Sequence, residues 1–458
     1  MILPCCINQV PERNTPGFNL WHHESGEMVR IDIEIVSREI IKPSSPIVQH
    51  KKPYKLSLSD QLTPTTCSSI IFFYPNTNGV NSNSITKTRT DHLKKSLSET
   101  LDIYYPLSGR VKDNLFIDSF NEGVPSIEAR VNCCLFDFLE QFEIESLNHF
   151  LPFQPYSKED MNAPLMSIQV SRFTCGGMAV GFAASHKLVD GATFKAFLAA
   201  LTFISRGDCN DVKQPDFEQA SLLFPPRNSL PQNHLSLMET LWFTEGKYIT
   251  RRFVFNPKAI AMLRAKAKAG RPDAKPTRIQ TLTCFVWKCC MAASKATSGS
   301  PKPSILVEAV DLRSRTKPTI SDTSLGMSFA TALYDSDNYT QTLQGEEGFK
   351  TMSEYCNQLE ELFSLEKPDI FAVTSWCNSG FTKTNFGWGE PIWAGHMGKA
   401  GSAFKNLTMF IETRDGKGIE AWVTLDEERM TILERDPEFL AFASPNPKIS
   451  PLGIISVL

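Results

Sequence analysis

A histidine followed four residues later by an aspartate gives this sequence its clearest candidate for acid–base chemistry. The segment reads Ser-His-Lys-Leu-Val-Asp-Gly, with the histidine at His186 and the aspartate at Asp190. A neutral imidazole accepts a proton near neutral pH without large tuning, so His186 is a candidate general base. The spacing alone is weak evidence, because eight histidines give roughly 0.4 such matches by chance. A core histidine bonded to backbone carbonyls is the competing interpretation.

The residues on either side of this turn predict the elements that hold it. Residues 165–172 and 177–184 read as two strands, expected to pair antiparallel, and the second is apolar enough to be buried. The mostly apolar residues 192–205 predict a buried helix. His186 therefore lies where a strand gives way to a turn, and a rigid scaffold there can hold its side chain in a cleft.

Composition divides the chain into four parts. Residues 1–27 mix proline, asparagine, glycine and charge without periodicity, which indicates a disordered leader. Residues 28–205 and 249–458 each alternate strand and helix patterns, and a chain of 458 residues exceeds what one core usually supports. We therefore expect two mixed α/β domains. Residues 206–248, rich in charge, proline and polar side chains, are expected to form the linker that crosses between them.

A second segment, far from the first along the chain, combines glycines with aromatic side chains. It consists of Asn385, Phe386, Gly387, Trp388 and Gly389. Taken alone, it is typical of a tight turn with a packed tryptophan. Together with the first segment, it resembles the BAHD acyltransferases, whose two signatures are His-x-x-x-Asp-Gly and Asp-Phe-Gly-Trp-Gly.

The resemblance extends over nearly the whole chain from Met28 onward. Further blocks that are similar to the family follow one another in family order, at residues 42–46, 58–61, 105–110, 312–315 and 374–377. The flanks and spacing are most similar to the branch that acetylates alkaloids and terpenoids. The resemblance implies an α/β fold of two similar mixed-sheet domains, of the chloramphenicol acetyltransferase-like type, with an interdomain tunnel. Acyl-CoA enters such a tunnel from one face and the acceptor from the other.

The same resemblance implies roles for individual residues. His186 would remove the proton from the acceptor's hydroxyl or amine as it attacks the thioester. Asp190 would pair with an arginine and hold the turn that presents His186. Thr374 and Trp376 match family positions that approach the oxyanion or the acceptor. Residues 385–389 would support domain packing and the entry of CoA, away from the reaction centre.

The sequence departs from the family pattern in several places. Asn385 replaces the usual aspartate of the second signature, and Asn378 stands where close relatives often carry arginine. The aspartate in relatives is expected to pair with an arginine, for which Arg313 is the candidate here. Asp311 directly precedes the block at residues 312–315. We therefore expect that the carboxylate has moved from one side of the domain junction to the other, and that Asn385 keeps a neutral hydrogen bond to the same arginine. The stretch 332–352 is also shorter than is common in the family.

Bulk properties limit the classes of partner. A net charge of -3 gives no reason to expect nucleic acid or an anionic membrane surface, and no run of eighteen apolar residues occurs. The twelve cysteines contain no Cys-x-x-Cys pair, so reduced thiols are expected and a metal site is not. Without an export signal, we expect a cytoplasmic protein. The resemblance implies a monomer with no permanently bound cofactor.

The predicted function is that of an acyl-CoA-dependent O-acyltransferase of plant specialised metabolism. Acetyl-CoA is the expected donor cosubstrate, and an alkaloid or terpenoid alcohol is the expected acceptor. Two alternatives stay open: N-acylation of an amine or polyamine, and a family member that has lost catalysis and acts as a binding protein. The altered second signature motivates the last of these, and the intact His186 and Asp190 argue against it. Neither serine-hydrolase nor nucleotide-binding motifs occur.

Overall fold

A computed structural model describes most of the chain. The described residues are 20–22, 28–76, 82–152, 162–230, 247–270, 273, 275–316, 318–326, 329–332, 354, 361, 368–398 and 405–449. The segment 332–352, expected to be short, lies outside them except at its first residue.

Strands account for about half of the regular structure in these ranges. They are β1 Leu20–His22, β2 Met28–Arg30, β3 Ile33–Ile41, β4 Tyr54–Lys55, β5 Cys67–Tyr74, β6 Arg110–Lys112, β7 Phe116–Asp118, β8 Val124–Val131, β9 Met166–Phe173, β10 Met178–Ser185, β11 Tyr248–Phe255, β12 Ser304–Asp311, β13 Phe329–Ala332, β14 Asp369–Ser375, β15 Trp393–Gly395, β16 Leu407–Glu412, β17 Ile419–Asp426 and β18 Ser444–Pro445.

The α-helices fall between the strands in both halves of the chain. They are α1 Leu58–Leu62, α2 Ser82–Ile103, α3 Leu135–Gln141, α4 Gly191–Arg206, α5 Gln219–Leu223, α6 Pro257–Gly270, α7 Arg278–Ser298, α8 Glu427–Leu433 and α9 Pro437–Leu440.

Two large mixed sheets form the centres of the two halves. The first has the strand order β15-β5-β10-β9-β8-β3, and the second has the order β13-β12-β14-β16-β17-β11-β18. The predicted antiparallel pairing of β9 with β10 is confirmed, and β10 also pairs antiparallel with β5. Helices α2 and α4 pack together on the first sheet, while α6, α7 and α8 pack beside the second. The fold is therefore α/β with two mixed-sheet domains, as predicted.

A buried aromatic cluster joins the two sheets. The side chain of Trp393 on β15 stacks on Phe73 of β5, with ring centres 5.4 Å apart, and on Trp422 of β17, at 6.0 Å. Trp393 also donates a hydrogen bond from Nε1 to Glu420, which forms a buried bidentate ion pair with Arg252. Burial of these rings stabilises the contact between the halves, because each aromatic side chain removes a large apolar area from water.

The observed boundaries differ from the prediction in two places. Trp393–Gly395, assigned to the C-terminal domain, instead pairs with β5 and becomes an edge strand of the first sheet. Three residues of the predicted leader, Leu20–His22, form a strand that pairs with β2, so disorder is wrong for those three. The rest of the leader lies outside the described residues. Within the predicted linker, Gln219–Leu223 forms a helix, and 231–246 are not described.

Candidate active site

His186 stands directly after a fully buried strand. Every residue of β10 is buried, and its last residue, Ser185, pairs with Cys67 at the start of β5. The backbone N–H of His186 then donates to the Thr66 carbonyl at 2.7 Å, which extends the ladder by one bond. The turn to α4 begins at this point, so two secondary-structure elements fix the position of the histidine backbone, as the sequence predicted.

The imidazole of His186 is held in one tautomer. Its Nδ1 lies 3.0 Å from the carbonyl oxygen of Val189, an arrangement in which Nδ1–H donates and Nε2 keeps its lone pair. Burial lowers the pKa of His186 below its usual 6.5, although the bond to Val189 and the charge of Asp190 act in the opposite direction. The ring is therefore neutral near pH 7, and Nε2 can accept a proton.

Asp190 faces away from the imidazole and towards the second half of the chain. Its carboxylate caps α4 by accepting from the backbone N–H of Thr193 at 2.8 Å. Both oxygens also accept from Arg313, at 2.6 Å from Nη1 and 3.0 Å from Nη2. The Asp190 and Arg313 side chains are 4% and 1% exposed, so this bidentate ion pair is buried.

Arg313 has several further partners, and Asn385 is not among them. The guanidinium also donates to Asp311 at 3.3 Å and to the carbonyls of Ser324 and Gly326. The prediction that Asn385 and Arg313 share a hydrogen bond across the domain junction is therefore wrong.

Asn385 instead shapes its own loop. Its Oδ1 accepts from the backbone N–H groups of Gly387 at 2.8 Å and Gly389 at 3.1 Å. Both glycines have φ near +100°, a conformation that strains any residue with a Cβ. An amide oxygen and a carboxylate oxygen can make the same two bonds, so the change from aspartate leaves the geometry of this loop intact.

Substituting Asn385 with aspartate should accordingly have little effect. The two backbone donors keep an acceptor, and the site is exposed, so the free energy of unfolding should change by less than about 1 kcal/mol. Asn385→Ala, which removes the acceptor, should cost about 1 kcal/mol. Urea unfolding of both variants is the measurement, and a large gain in stability for Asn385→Asp would mean that the asparagine is a lesion.

The aromatic residues of the same segment pack far from His186. The rings of Phe386 and Trp388 lie 5.9 Å and 6.1 Å from the ring of Tyr74, which ends β5. Phe386 also packs on Phe182 of β10, at 6.3 Å, and Phe182 precedes His186 by four residues, or roughly 13 Å of strand. The segment therefore packs the C-terminal half against the first sheet, and its side chains make no contact with His186 among the described residues.

Trp376 lies near the histidine site, at the end of β14. Its backbone N–H donates to the carbonyl of Phe410 at 2.8 Å, and its indole contacts the ring of Phe381 at 5.4 Å. A third ring, that of His396, lies 5.4 Å away at nearly a right angle. Thr374 is half-buried two residues earlier, paired with Met409. The structure thus brings Trp376 next to a second histidine and shows no contact from described residues that brings Thr374 to His186.

His396 is a site residue that the sequence did not reveal. It directly follows β15, is 4% exposed, and its Nδ1 lies 2.6 Å from the Ser69 carbonyl. Burial lowers the pKa of His396 to about 4, against the effect of the Ser69 bond, and the charge of His186 lowers it further. No motif surrounds this histidine, and only the pairing of β15 with the first sheet places it here, so no sequence signal could have found it.

Lys187, the neighbour of the candidate base, is a buried cation. Its Nζ donates to the carbonyls of Asp60 at 3.3 Å and Gln61 at 3.0 Å, and to Asn114 Oδ1 at 3.0 Å. Burial lowers the pKa of Lys187 to about 8, although the Asp60 charge opposes this. These bonds fasten the histidine turn to the segment that carries α1.

Replacing Lys187 with methionine should destabilise the fold by about 1–3 kcal/mol, because three hydrogen bonds of a buried ammonium are lost. The measurement is the free energy of unfolding in urea. Lys195→Met is the matched control: Lys195 is exposed and makes one bond, to the Asn378 carbonyl, so its loss should cost less than about 0.5 kcal/mol. Equal costs for both variants would show that the Lys187 bonds are not needed for stability.

The chain is similar in sequence and in structure to known proteins. Residues 31–344 and 335–440 match the family described as the Transferase family. Akuammiline synthase 2 of Alstonia scholaris is 37% identical over 449 residues, covering 92% of this chain and 98% of that protein. A limonoid 7-O-acetyltransferase of Citrus sinensis is 35% identical over 454 residues, covering 90% and 98%. The crystal structure of vinorine synthase superposes with a TM-score of 0.73 at 30% identity, covering 92% of this chain and 100% of that one.

The two-sheet fold and the similarity to proteins named as acetyltransferases define an enzyme that transfers acyl groups. The chain belongs to the plant BAHD acyltransferase family. Among the helices that the structure describes, none is long and apolar enough to cross a membrane.

Proposed function

We propose that the protein transfers an acyl group from acyl-CoA to a hydroxyl group, with His186 as general base. The carrying observation is the fixed tautomer of His186, whose Nδ1–H is held by Val189 and whose Nε2 is free to accept a proton. Nε2 removes the hydroxyl proton while the oxygen attacks the thioester carbonyl. The tetrahedral intermediate then expels CoA thiolate, which takes the proton from the imidazolium, leaving ester and free CoA.

Asp190 acts in this scheme as a positioning residue. Its carboxylate is committed to Arg313 and to the first turn of α4, so it holds the turn that carries His186 and does not relay charge. Thr374 and Trp376 are proposed to approach the oxyanion or the acceptor, and the contact of Trp376 with His396 supports this for the indole. Residues 385–389 are proposed to support packing and CoA entry from a distance.

The names of the relatives support a proposal for the substrates. Proteins named limonoid O-acetyltransferases and stemmadenine O-acetyltransferase are among them, so the proposed acceptor is a polycyclic alkaloid or terpenoid alcohol and the proposed donor is acetyl-CoA. The enzyme is proposed to work as a cytoplasmic monomer without nucleic-acid or membrane partners. Its proposed domains are residues 28–205 and 249–458, with 206–248 as the crossover between them. Strand β15 is the exception, because it belongs to the sheet of the first domain.

The test is acyl transfer by the purified protein. Incubation with a panel of acyl-CoAs and extracts of the source tissue, followed by thiol release and product masses, should show acetyl esters. Products acylated on nitrogen would favour the amine alternative. An absence of thiol release with every donor would favour a family member that has lost catalysis.

The pH dependence of kcat/KM should show one acidic limb. Protonated His186 cannot accept the hydroxyl proton, so activity is lost as pH falls through its pKa and is level above it. Burial lowers that pKa below 6.5, so the midpoint should also lie below 6.5. Thiol release measured from about pH 4.5 to 8 gives the profile, and a midpoint above roughly pH 7 would contradict a buried neutral base.

A further inference from the structure

Two histidines flank the start of β5. The backbone of His186 bonds the Thr66 carbonyl on the side of β10, and the ring of His396 bonds the Ser69 carbonyl on the side of β15. Strand β15 ends opposite Ile71, so the His396 ring supplies the hydrogen bond that a longer edge strand would have made. The two anchoring carbonyls are three residues apart, roughly 10 Å along the strand. Both side chains therefore lie at one end of the first sheet.

The hydrogen bond to Ser69 fixes what His396 can offer a ligand. Because Nδ1–H donates to the carbonyl, Nε2 on the opposite edge of the ring carries a lone pair. The structure gives Nε2 no hydrogen-bond partner within the residues it describes. Burial keeps the ring neutral, with its pKa lowered to about 4, so Nε2 remains an acceptor at neutral pH.

Two buried donors without partners lie around this ring. Trp422 Nε1 has no hydrogen-bond partner among the described residues, and neither has Ser69 Oγ, although both side chains are almost fully buried. The rings of Trp422 and His396 meet edge to face, with centres 6.3 Å apart at 89°, so the unpaired donor and the unpaired acceptor lie on neighbouring side chains. An unpaired buried donor is unfavourable, so its presence beside an unpaired acceptor indicates a place that a ligand fills.

The surroundings restrict the kind of ligand group. Trp376, Trp393 and Met397 line this region with apolar surface. The nearby Arg252 and Glu420 already neutralise each other, so a charged ligand group would be desolvated without a free counter-ion. A carbonyl could accept from Trp422 but could not donate to His396. A hydroxyl does both, because it has one donor hydrogen and two acceptor lone pairs.

We infer that His396 and Trp422 form a specificity subsite that binds a second hydroxyl group of the acceptor, at a distance from the hydroxyl that is acylated. The inference rests on the proposed function, since it takes the space beside His186 as the acceptor site. Acceptors with hydroxyls at two separated positions of a rigid ring system are therefore preferred over matching alcohols with one.

The test compares two rigid steroid probes by isothermal titration in the absence of acyl-CoA. Androstanediol carries a hydroxyl at each end of its ring system, and androstanol carries one. The wild-type protein should bind the diol about five- to tenfold more tightly, the worth of one well-formed hydrogen bond. His396→Asn keeps an N–H for the Ser69 carbonyl but loses the acceptor at Nε2, and its ratio should fall to near one. Trp422→Phe, which keeps a ring but loses the donor, should lower the ratio as well.

The control and the contrary outcomes separate this inference from the proposed function. His50→Asn alters an exposed histidine and should keep the wild-type ratio. The subsite would be overturned if His396→Asn kept the wild-type ratio of the two affinities. It would also be overturned if the wild-type protein did not prefer the diol, or bound neither probe. In each case the space beside His396 would hold only a bound water. A clear preference in a protein that transfers no acyl group would contradict the proposed function alone, because binding is measured without the donor.

Discussion

Replacing His186 with alanine should lower the turnover number by about two to four orders of magnitude, the range typical of a lost general base. The residues that the structure describes offer no substitute at the same position: His396 is held on Ser69, and Asp190 is bonded to Arg313 and to the α4 backbone. The residual rate would come from binding the two substrates close together. The measurement is release of CoA thiol with both acyl-CoA and acceptor at saturation.

The fold should survive this substitution, which makes the kinetic result interpretable. Within the described part of the chain, the His186 side chain makes one hydrogen bond, to Val189, and the backbone bond to Thr66 does not depend on the side chain. The melting temperature should therefore change by only a few degrees. His50→Ala, at an exposed position, is the matched control and should keep the full rate. Thiol release near the normal rate in folded His186→Ala would show that another group removes the proton.

The placement of His186 could be predicted because local patterns determine it. Apolar residues 177–184 predicted a strand and 192–205 a helix; the observed β10 is shifted by one residue, and α4 extends the predicted helix by one residue at each end. Between two such elements, only a short turn remains for His186 and Asp190. The partner of Asp190, by contrast, was expected only as an arginine from the family resemblance. Its identification as Arg313 needs a contact between residues 123 positions apart.

The second histidine could not be predicted because its position depends on pairing between distant strands. Trp393–Gly395 is only three residues long, and nothing in its composition shows that it joins the sheet of the other half. His396 reaches Ser69 only as a result of that pairing. The mistaken link between Asn385 and Arg313 has the same origin. The sequence does not show which of several possible acceptors lies within hydrogen-bond distance of the arginine.

Breaking the ion pair of Asp190 and Arg313 should have the largest effect on stability. Asp190→Ala leaves the Arg313 guanidinium, which is 1% exposed, with Asp311 as its remaining carboxylate partner. The Asp311 side chain lies 3.3 Å away and is 56% exposed. Removing one partner of a buried ion pair costs about 3–5 kcal/mol, and the half-exposed Asp311 offsets only part of this loss. The loss of the α4 cap at Thr193 adds about 1 kcal/mol. The rate should fall too, because the turn that carries His186 loses its anchor. Unfolding in urea and thiol release are the two measurements.

A mutant cycle distinguishes the ion pair from a general loss of packing. Arg313→Met alone leaves a buried carboxylate and should lower the free energy of unfolding about as much as Asp190→Ala does. The double variant removes both charges, so it should lower this free energy clearly less than the sum of the two single changes. Asp208→Ala breaks the half-exposed pair with Arg206 and should cost less than about 1 kcal/mol, which serves as the control for losing an aspartate. Additive costs in the cycle would mean that the two side chains stabilise the fold independently. In that case Asp190 would act on His186 through the α4 cap alone, and Asp190→Asn, which keeps an oxygen for Thr193, should retain most of the activity.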